Sequence, residues 1–176
     1  MGMSMNVEKR VLYVKAGKKG TTEIVDAIAA RVKEDGLSSV IVASTSGKAA
    51  IRIGEALKGA AEIVSVTEFT YSDDIKKAMK KLKIAPIEKA VLPIQDRPAM
   101  REALLMFGSG VKAALDVIAV AAEKELTHDR VIGVAGSERG LDTALVVRPS
   151  PPSEFSNPDP EKRMAVLEVV AMPLKG

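Results

Sequence analysis

Val40-Ile41-Val42-Ala43-Ser44-Thr45-Ser46-Gly47-Lys48-Ala49-Ala50 decides the fold. Ser39 to Ala43 is a nearly continuous apolar run, as expected of a strand covered on both faces. Ser44 to Gly47 is a small-residue loop that opens directly into a helix, which runs to about Lys58 and stops at Gly59. Glu62 to Thr67 (EIVSVT) then reads as another strand. Upstream, Arg10 to Lys15 (RVLYVK) is a short β-branched and aromatic strand. Gly17 to Gly20 makes a loop, and Thr21 or Thr22 can cap the helix after it. Ile24, Ala27, Ile28, Ala30 and Val32 then keep helical spacing up to Gly36. Strands alternate with helices over short connections, which predicts a parallel sheet layered by helices.

Downstream, Asp73 to Lys83 reads as a lysine-rich amphipathic helix whose 76–83 charge run is a solvated face. Lys89 to Leu92 reads as a brief strand. A helical stretch from Pro98 to Lys124 is interrupted at Phe107-Gly108-Ser109-Gly110, and its second half is apolar nearly all round, predicting the most buried helix. Arg130 to Val134 and Ala144 to Arg148 read as strands flanking a loop from Gly136 to Thr143. Pro149 to Pro160 holds five prolines and must extend or turn, and Ala165 to Met172 closes as a strand. No repeat or linker divides the chain, so residues 1–176 are expected to form one α/β domain.

Composition narrows the function. Lys and Arg total 26 against 23 Asp and Glu, so the net charge of +3 is no polybasic arm. The aromatic residues are Tyr13, Phe69, Tyr71, Phe107 and Phe155, without tryptophan, which leaves few stacking platforms for single strands. Nucleic acid is not the expected partner. Cysteine is absent and His128 is the single histidine, which excludes disulfides, thiolate nucleophiles, Cys/His zinc sites and iron–sulfur clusters. No apolar run reaches the ~18 residues of a membrane span, and the Met-rich start lacks a basic-then-apolar export pattern. A soluble, cytoplasmic protein without metal is the expectation.

Three stretches could carry chemistry. At Ser44-Thr45-Ser46-Gly47-Lys48-Ala49, free N–H groups at the helix start favour an anion. The hydroxyls add donors and Lys48 adds charge, although the Walker spacing is missing. The same residues also suit a plain N-cap on Ser44 or Ser46. In Gly136-Ser137-Glu138-Arg139-Gly140-Leu141-Asp142-Thr143, Arg139 could clamp a phosphate or carboxylate. Asp142 could accept from ligand hydroxyls or ring nitrogens; a glycine turn with a solvated arginine is the alternative. Phe107-Gly108-Ser109-Gly110-Val111-Lys112 reads either as a ligand-facing helix start or as a tight helix–helix junction, the junction being preferred.

The stretch Val40 to Ala50, continuing to Ala61-Glu62-Ile63-Val64-Ser65-Val66-Thr67, resembles the C-terminal domain of pyruvate kinase. Phe107-Gly108-x-Gly110-x-Lys112 and then Gly136-Ser137-x-Arg139-Gly140-x-Asp142-Thr143-Ala144-x-Val146-x-Arg148-Pro149 are similar to small, mostly archaeal stand-alone proteins with that domain's fold. The resemblance implies a three-layer α/β/α sandwich on a mixed, mainly parallel five-stranded sheet with an antiparallel edge strand. It implies no kinase activity, because the barrel and the catalytic apparatus are absent. It implies a sugar-phosphate effector at Ser44 to Ala49 in the kinases and flavin mononucleotide (FMN) in the stand-alone relatives. On that reading Ser44, Thr45, Ser46, Gly47, Lys48 and Ala49 hold the phosphate, with Thr67 nearby. Gly108, Gly136, Ser137, Arg139, Gly140, Asp142 and Thr143 complete the cofactor site. A non-catalytic sensor of a phosphorylated metabolite, such as a sugar bisphosphate, is the rival, and a homo-oligomer is expected from the kinase's subunit contact. Two features depart from the relatives. The segment Glu68 to Asp73 is short, and Ser46-Gly47-Lys48 stays closer to the kinase form.

Overall fold

The computed structural model describes residues 5–175; Met1 to Ser4, most of the Met-rich start, lie outside them. The chain runs β1 (Leu12–Val14), α1 (Lys18–Asp35), β2 (Ser39–Ala43), α2 (Lys48–Leu57), β3 (Glu62–Val66), α3 (Asp73–Lys81) and β4 (Ile84–Ile87). It continues through α4 (Pro98–Leu105), α5 (Ser109–Glu123), β5 (Val131–Ser137), β6 (Gly140–Arg148) and β7 (Ala165–Pro173). The Pro-rich segment folds into two 3₁₀ turns, Pro152–Glu154 and Pro160–Lys162.

The α/β class is as read, but the sheet has seven strands in the order β1-β7-β6-β5-β2-β3-β4, not five. Four neighbouring pairs are parallel (β1–β7, β2–β3, β2–β5, β3–β4), and β6 is antiparallel to both β5 and β7. The antiparallel strand is therefore interior, where the resemblance placed it at an edge. β1 leaves its sequence neighbours and pairs with β7, Leu12 opposite Ala171.

Helices cover both faces. Ile24 and Ile28 of α1, Ile53 and Leu57 of α2 and Met79 of α3 pack with Val40, Val42, Ile132 and Val134. Across the sheet, Ala114, Leu115, Ile118 and Ala121 of α5 pack with Ile41, Val64, Val131 and Val147. Val40, Ile41 and Val42 alternate between the two cores because strand side chains point to opposite faces. Each fully buried Ile or Val of this kind contributes about 1.5–3 kcal/mol. α5 is buried without a break from Ala114 to Ala121, as its all-round apolarity predicts.

Local differences have local causes. α1 starts at Lys18, and Thr21 and Thr22 lie inside its first turns, donating back to the carbonyls of Gly17 and Lys18 rather than capping. The strand expected at Lys89 to Leu92 falls instead on Ile84–Ile87, because Lys89 has φ 53° and leaves the extended region. Pro86 is tolerated there because β4 is an edge strand and needs no N–H on its free side. The loop expected from Gly136 to Thr143 is a hairpin in which β5 and β6 pair up to Ser137 and Gly140 around Glu138-Arg139. A register shift at Ala135/Gly136 leaves Asp142 without a cross-strand partner, a β-bulge.

Candidate functional site

The parallel strands end together at one edge of the sheet, where open α/β folds place ligands. At that edge β2 turns into α2 through Ser44 to Gly47. The Ser44 N–H donates to Val66 O at 3.1 Å, so the β2–β3 ladder persists one residue past the strand. Gly47, not a serine, is the N-cap, at φ 85° and ψ −10°. A Cβ there would lie 2.5 Å from Ile75 Cγ2 and 2.7 Å from Met79 Cε, so both its conformation and its packing call for glycine.

No side chain caps α2. Its first backbone bond is Ile51 N–H to Gly47 O, 3.1 Å, which leaves the N–H groups of Lys48, Ala49 and Ala50 without helical acceptors. The plain serine N-cap is thus not what forms. Ala50, Ile53 and Leu57 pin α2 to the sheet, and Lys48 and Arg52, one turn apart, lie on its opposite side.

This helix start opens on a cleft of about 630 Å³. Ala43, Ser44, Thr45, Ser46, Lys48 and Ala49 form one wall; the β5–β6 hairpin, Gly136 to Leu141, forms the other. Thr21 and Arg52 complete the lining. Lys48, Arg52 and Arg139 outweigh the single carboxylate, Glu138, so the cleft is cationic around uncapped amide donors. Its apolar lining is Ala43, Ala49 and Leu141, with no aromatic side chain.

The hairpin is held over α1. Leu141 N–H donates to Thr21 Oγ1 at 3.0 Å, and Thr21 Oγ1 donates to Gly17 O at 2.8 Å. A Cβ at Gly140 (φ 141°) would lie 2.4 Å from Thr21 Oγ1, so only glycine lets the hairpin come this close.

The structure thus brings together Ser44, Thr45, Ser46, Lys48 and Ala49 with Gly136, Ser137, Arg139 and Gly140, and Gly47 closes the turn beneath. It separates the others. Thr67 sits behind the loop, donating to Thr45 O at 3.1 Å. Asp142 and Thr143 turn toward α5: a Cβ at Gly110 would lie 2.7 Å from Asp142 Oδ1 and 2.2 Å from Thr143 Oγ1. Thr143 Oγ1 donates to Asp142 Oδ1 at 2.8 Å, and burial pushes the Asp142 carboxyl above the usual carboxylate range. Gly108 caps the start of α5 and packs against Pro173. Residues 107–112 form a helix–helix junction between α4 and α5. Lys112 there lies 2.8 Å from Asp116 Oδ2, an ion pair outside hydrogen-bond alignment, and donates to Gln95 Oε1.

Arg52 and Thr21 were missed. Arg52 was legible from its i, i+4 spacing to Lys48; Thr21 was not, because 120 residues separate it from Leu141.

A larger open cleft of about 970 Å³ lies at the opposite edge, lined in part by His128, Arg130, Arg148 and Ser150. No α-helix starts at it; its one uncapped helical turn is the three-residue 3₁₀ turn Pro152–Glu154. Arg148 is engaged by Glu161 and the carbonyls of Pro160 and Arg163, and His128 by Glu62. Among the described residues, no group of three or more His, Asp or Glu could hold a metal, and no helix is long and apolar enough to cross a membrane.

No protein-family model matches the chain. Among solved structures it is similar to Cryptosporidium parvum pyruvate kinase in complex with ADP, with 14% identity and a TM-score of 0.40. The match covers 95% of this chain and 25% of that one, so the chain spans about a quarter of the kinase's length. The α/β assignment rests on the chain's own topology.

Proposed function

We propose that the chain binds a phosphate-bearing small molecule in the α2 cleft, with FMN as the ligand. The observation that carries this reading is the uncapped start of α2, with Lys48, Arg52 and Arg139 around its free amides. Such a start attracts a dianion through oriented N–H donors and the helix dipole. The cleft volume falls within the ~300–1,000 Å³ of small-molecule sites. The residues fit the phosphate end. Toward the remainder of the ligand the cleft offers Gly136, Ser137, Arg139 and Gly140, and Ala43, Ala49 and Leu141 give a flavin ring an aliphatic surface. Asp142 and Thr143 face α5, Gly108 packs against Pro173, and none of the three lines this cleft.

When bound, flavin supplies electron-transfer chemistry that no side chain here supplies. The chain's own contribution is binding and orientation. The test is the visible spectrum of freshly purified protein, with mass analysis of the ligand that denaturation releases. Yellow protein releasing FMN supports the reading; colourless protein that ignores added FMN sinks it. The Ser46-Gly47-Lys48 loop favours a second reading, a sensor of a sugar bisphosphate. Thermal stabilisation by sugar phosphates but not FMN would select it. The chain is also proposed to self-associate through exposed Tyr13, Met106, Phe107 and Leu174, which gather around one apolar cleft. Sedimentation as a monomer would remove that part.

A further inference from the structure

Two side chains behind the Ser44–Gly47 loop grip its carbonyls. Tyr71, only 4% exposed, donates from its hydroxyl to Ser44 O at 3.0 Å, and the same hydroxyl lies 2.7 Å from Ser65 Oγ. A carbonyl only accepts, so the phenol proton is committed to Ser44, and Ser65 is the donor of the second bond. Thr67 Oγ1 donates to Thr45 O at 3.1 Å and accepts from Phe69 N–H at 3.1 Å. Neither Tyr71 nor Thr67 lines the cleft, whereas Ser44, Thr45 and Ser46 do.

No cis peptide occurs among the described residues. In a trans peptide the C=O and the N–H of the next residue point in opposite directions. Drawing Ser44 O and Thr45 O back toward β3 therefore turns the N–H groups of Thr45 and Ser46 forward, to the cleft side. Neither N–H donates to another backbone group of the described residues. They add to the amides of Lys48, Ala49 and Ala50, and successive free backbone N–H groups of this kind suit an anion.

We propose that Tyr71 and Thr67 are positioning residues for anion binding, holding the Ser44 and Thr45 carbonyls behind the loop so that the Thr45 and Ser46 amides meet a phosphate. This rests on the phosphate reading of the cleft. Burial pushes the Tyr71 phenol up to about 12, so it stays a donor through neutral and mildly alkaline pH. The Tyr71 N–H donates to Glu88 Oε1 at 2.6 Å, which fixes the residue from its backbone side.

The test uses the full chain with inorganic phosphate as probe, read by backbone amide NMR and calorimetry. Tyr71→Phe and Thr67→Val each remove one tether and keep the bulk of the side chain. Each is expected to keep the native spectrum away from the Ser44–Gly47 loop and its tethers and to weaken phosphate about three- to tenfold, the worth of one hydrogen bond. Phosphate-induced shifts of the Thr45 and Ser46 amides should shrink, while those of Lys48 and Ala49 persist; a merely structural role would not divide the amides in this way. Unchanged affinity and unchanged Thr45 and Ser46 shifts in both variants overturn the proposal. Should Tyr71→Phe not fold, Thr67→Val decides alone by the same criteria. If the wild type binds no phosphate, the cleft reading fails separately. The Thr45 and Ser46 amide resonances of the ligand-free variants then decide the geometry, moving if the tethers set these peptides and staying put if they do not.

Discussion

Replacing Gly47 by alanine tests the loop conformation on which the site depends. At φ 85° an L-residue meets its own carbonyl oxygen, a cost of about 1–2 kcal/mol. The added Cβ would also stand 2.5 Å from Ile75 Cγ2, 2.7 Å from Met79 Cε and 3.2 Å from Tyr71 Cδ1. Those atoms are side-chain atoms and can shift, so overpacking adds about 1–2 kcal/mol, toward the low end for a tight core. The sum is about 2–4 kcal/mol, which at this chain length lowers Tm by roughly 4–16 °C. Circular dichroism melts of wild type and Gly47→Ala at one pH and salt concentration measure it. Phosphate affinity should fall as well, because relief of the strain moves the turn that opens α2. A variant that melts within ~2 °C of wild type and binds phosphate as well would refute both the left-handed turn and its tight seat on α3.

Lys48→Ala and Arg139→Ala should each weaken phosphate about two- to fivefold, as exposed charges do, and the loss should narrow as salt rises; calorimetry at two ionic strengths checks this. Asp142→Asn should raise stability at pH 7–8. The folded carboxyl is raised above its unfolded value, so its stabilising contribution is full at low pH and is lost as the pH rises and the buried group ionises. Denaturant melts across pH should therefore show the variant's advantage fading on acidification; an advantage that does not depend on pH would contradict the burial argument. Asp116→Ala should cost about 3–5 kcal/mol, because it strands the buried Lys112 ammonium and removes the acceptor of Ile94 N–H. Urea unfolding measures it, and a loss below ~1 kcal/mol would show that water solvates Lys112.

Much of the fold was legible because the decisive segments are long and apolar. Ser39–Ala43 and the apolar half of α5 could be read from hydrophobicity alone, since a run buried on all sides has one resting place in a layered α/β fold. β4 was not legible: Ile84-Ala85-Pro86-Ile87 carries a proline, and only its edge position makes it a strand. The hairpin of β5 and β6 was hidden by its glycines. Gly136 and Gly140 signal a loop locally, yet they are there because Gly136 packs against the Gly140 backbone across the hairpin and Gly140 meets Thr21.

The site divides in the same way. Ser44 to Ala49 stood out because a strand, a small-residue loop and a helix start are contiguous, and the free amides of a helix start come directly from chain geometry. Whether a serine or Gly47 caps α2 depends on Tyr71, Thr67, Ile75 and Met79 behind the loop, and no local rule reports on those residues. The long motif from Gly136 to Thr143 reads as one ligand loop, yet the bulge turns its last two members through the sheet. The sequence by itself determined the strand and helix alternation and the small-residue turn that opens α2, since both depend on neighbours along the chain. Only the tertiary structure decided strand order, the separation of Asp142 and Thr143 from Arg139, and the arrival of Thr21 at the cleft. Those outcomes depend on which faces are buried together, and burial is a property of the packed layers rather than of any one segment.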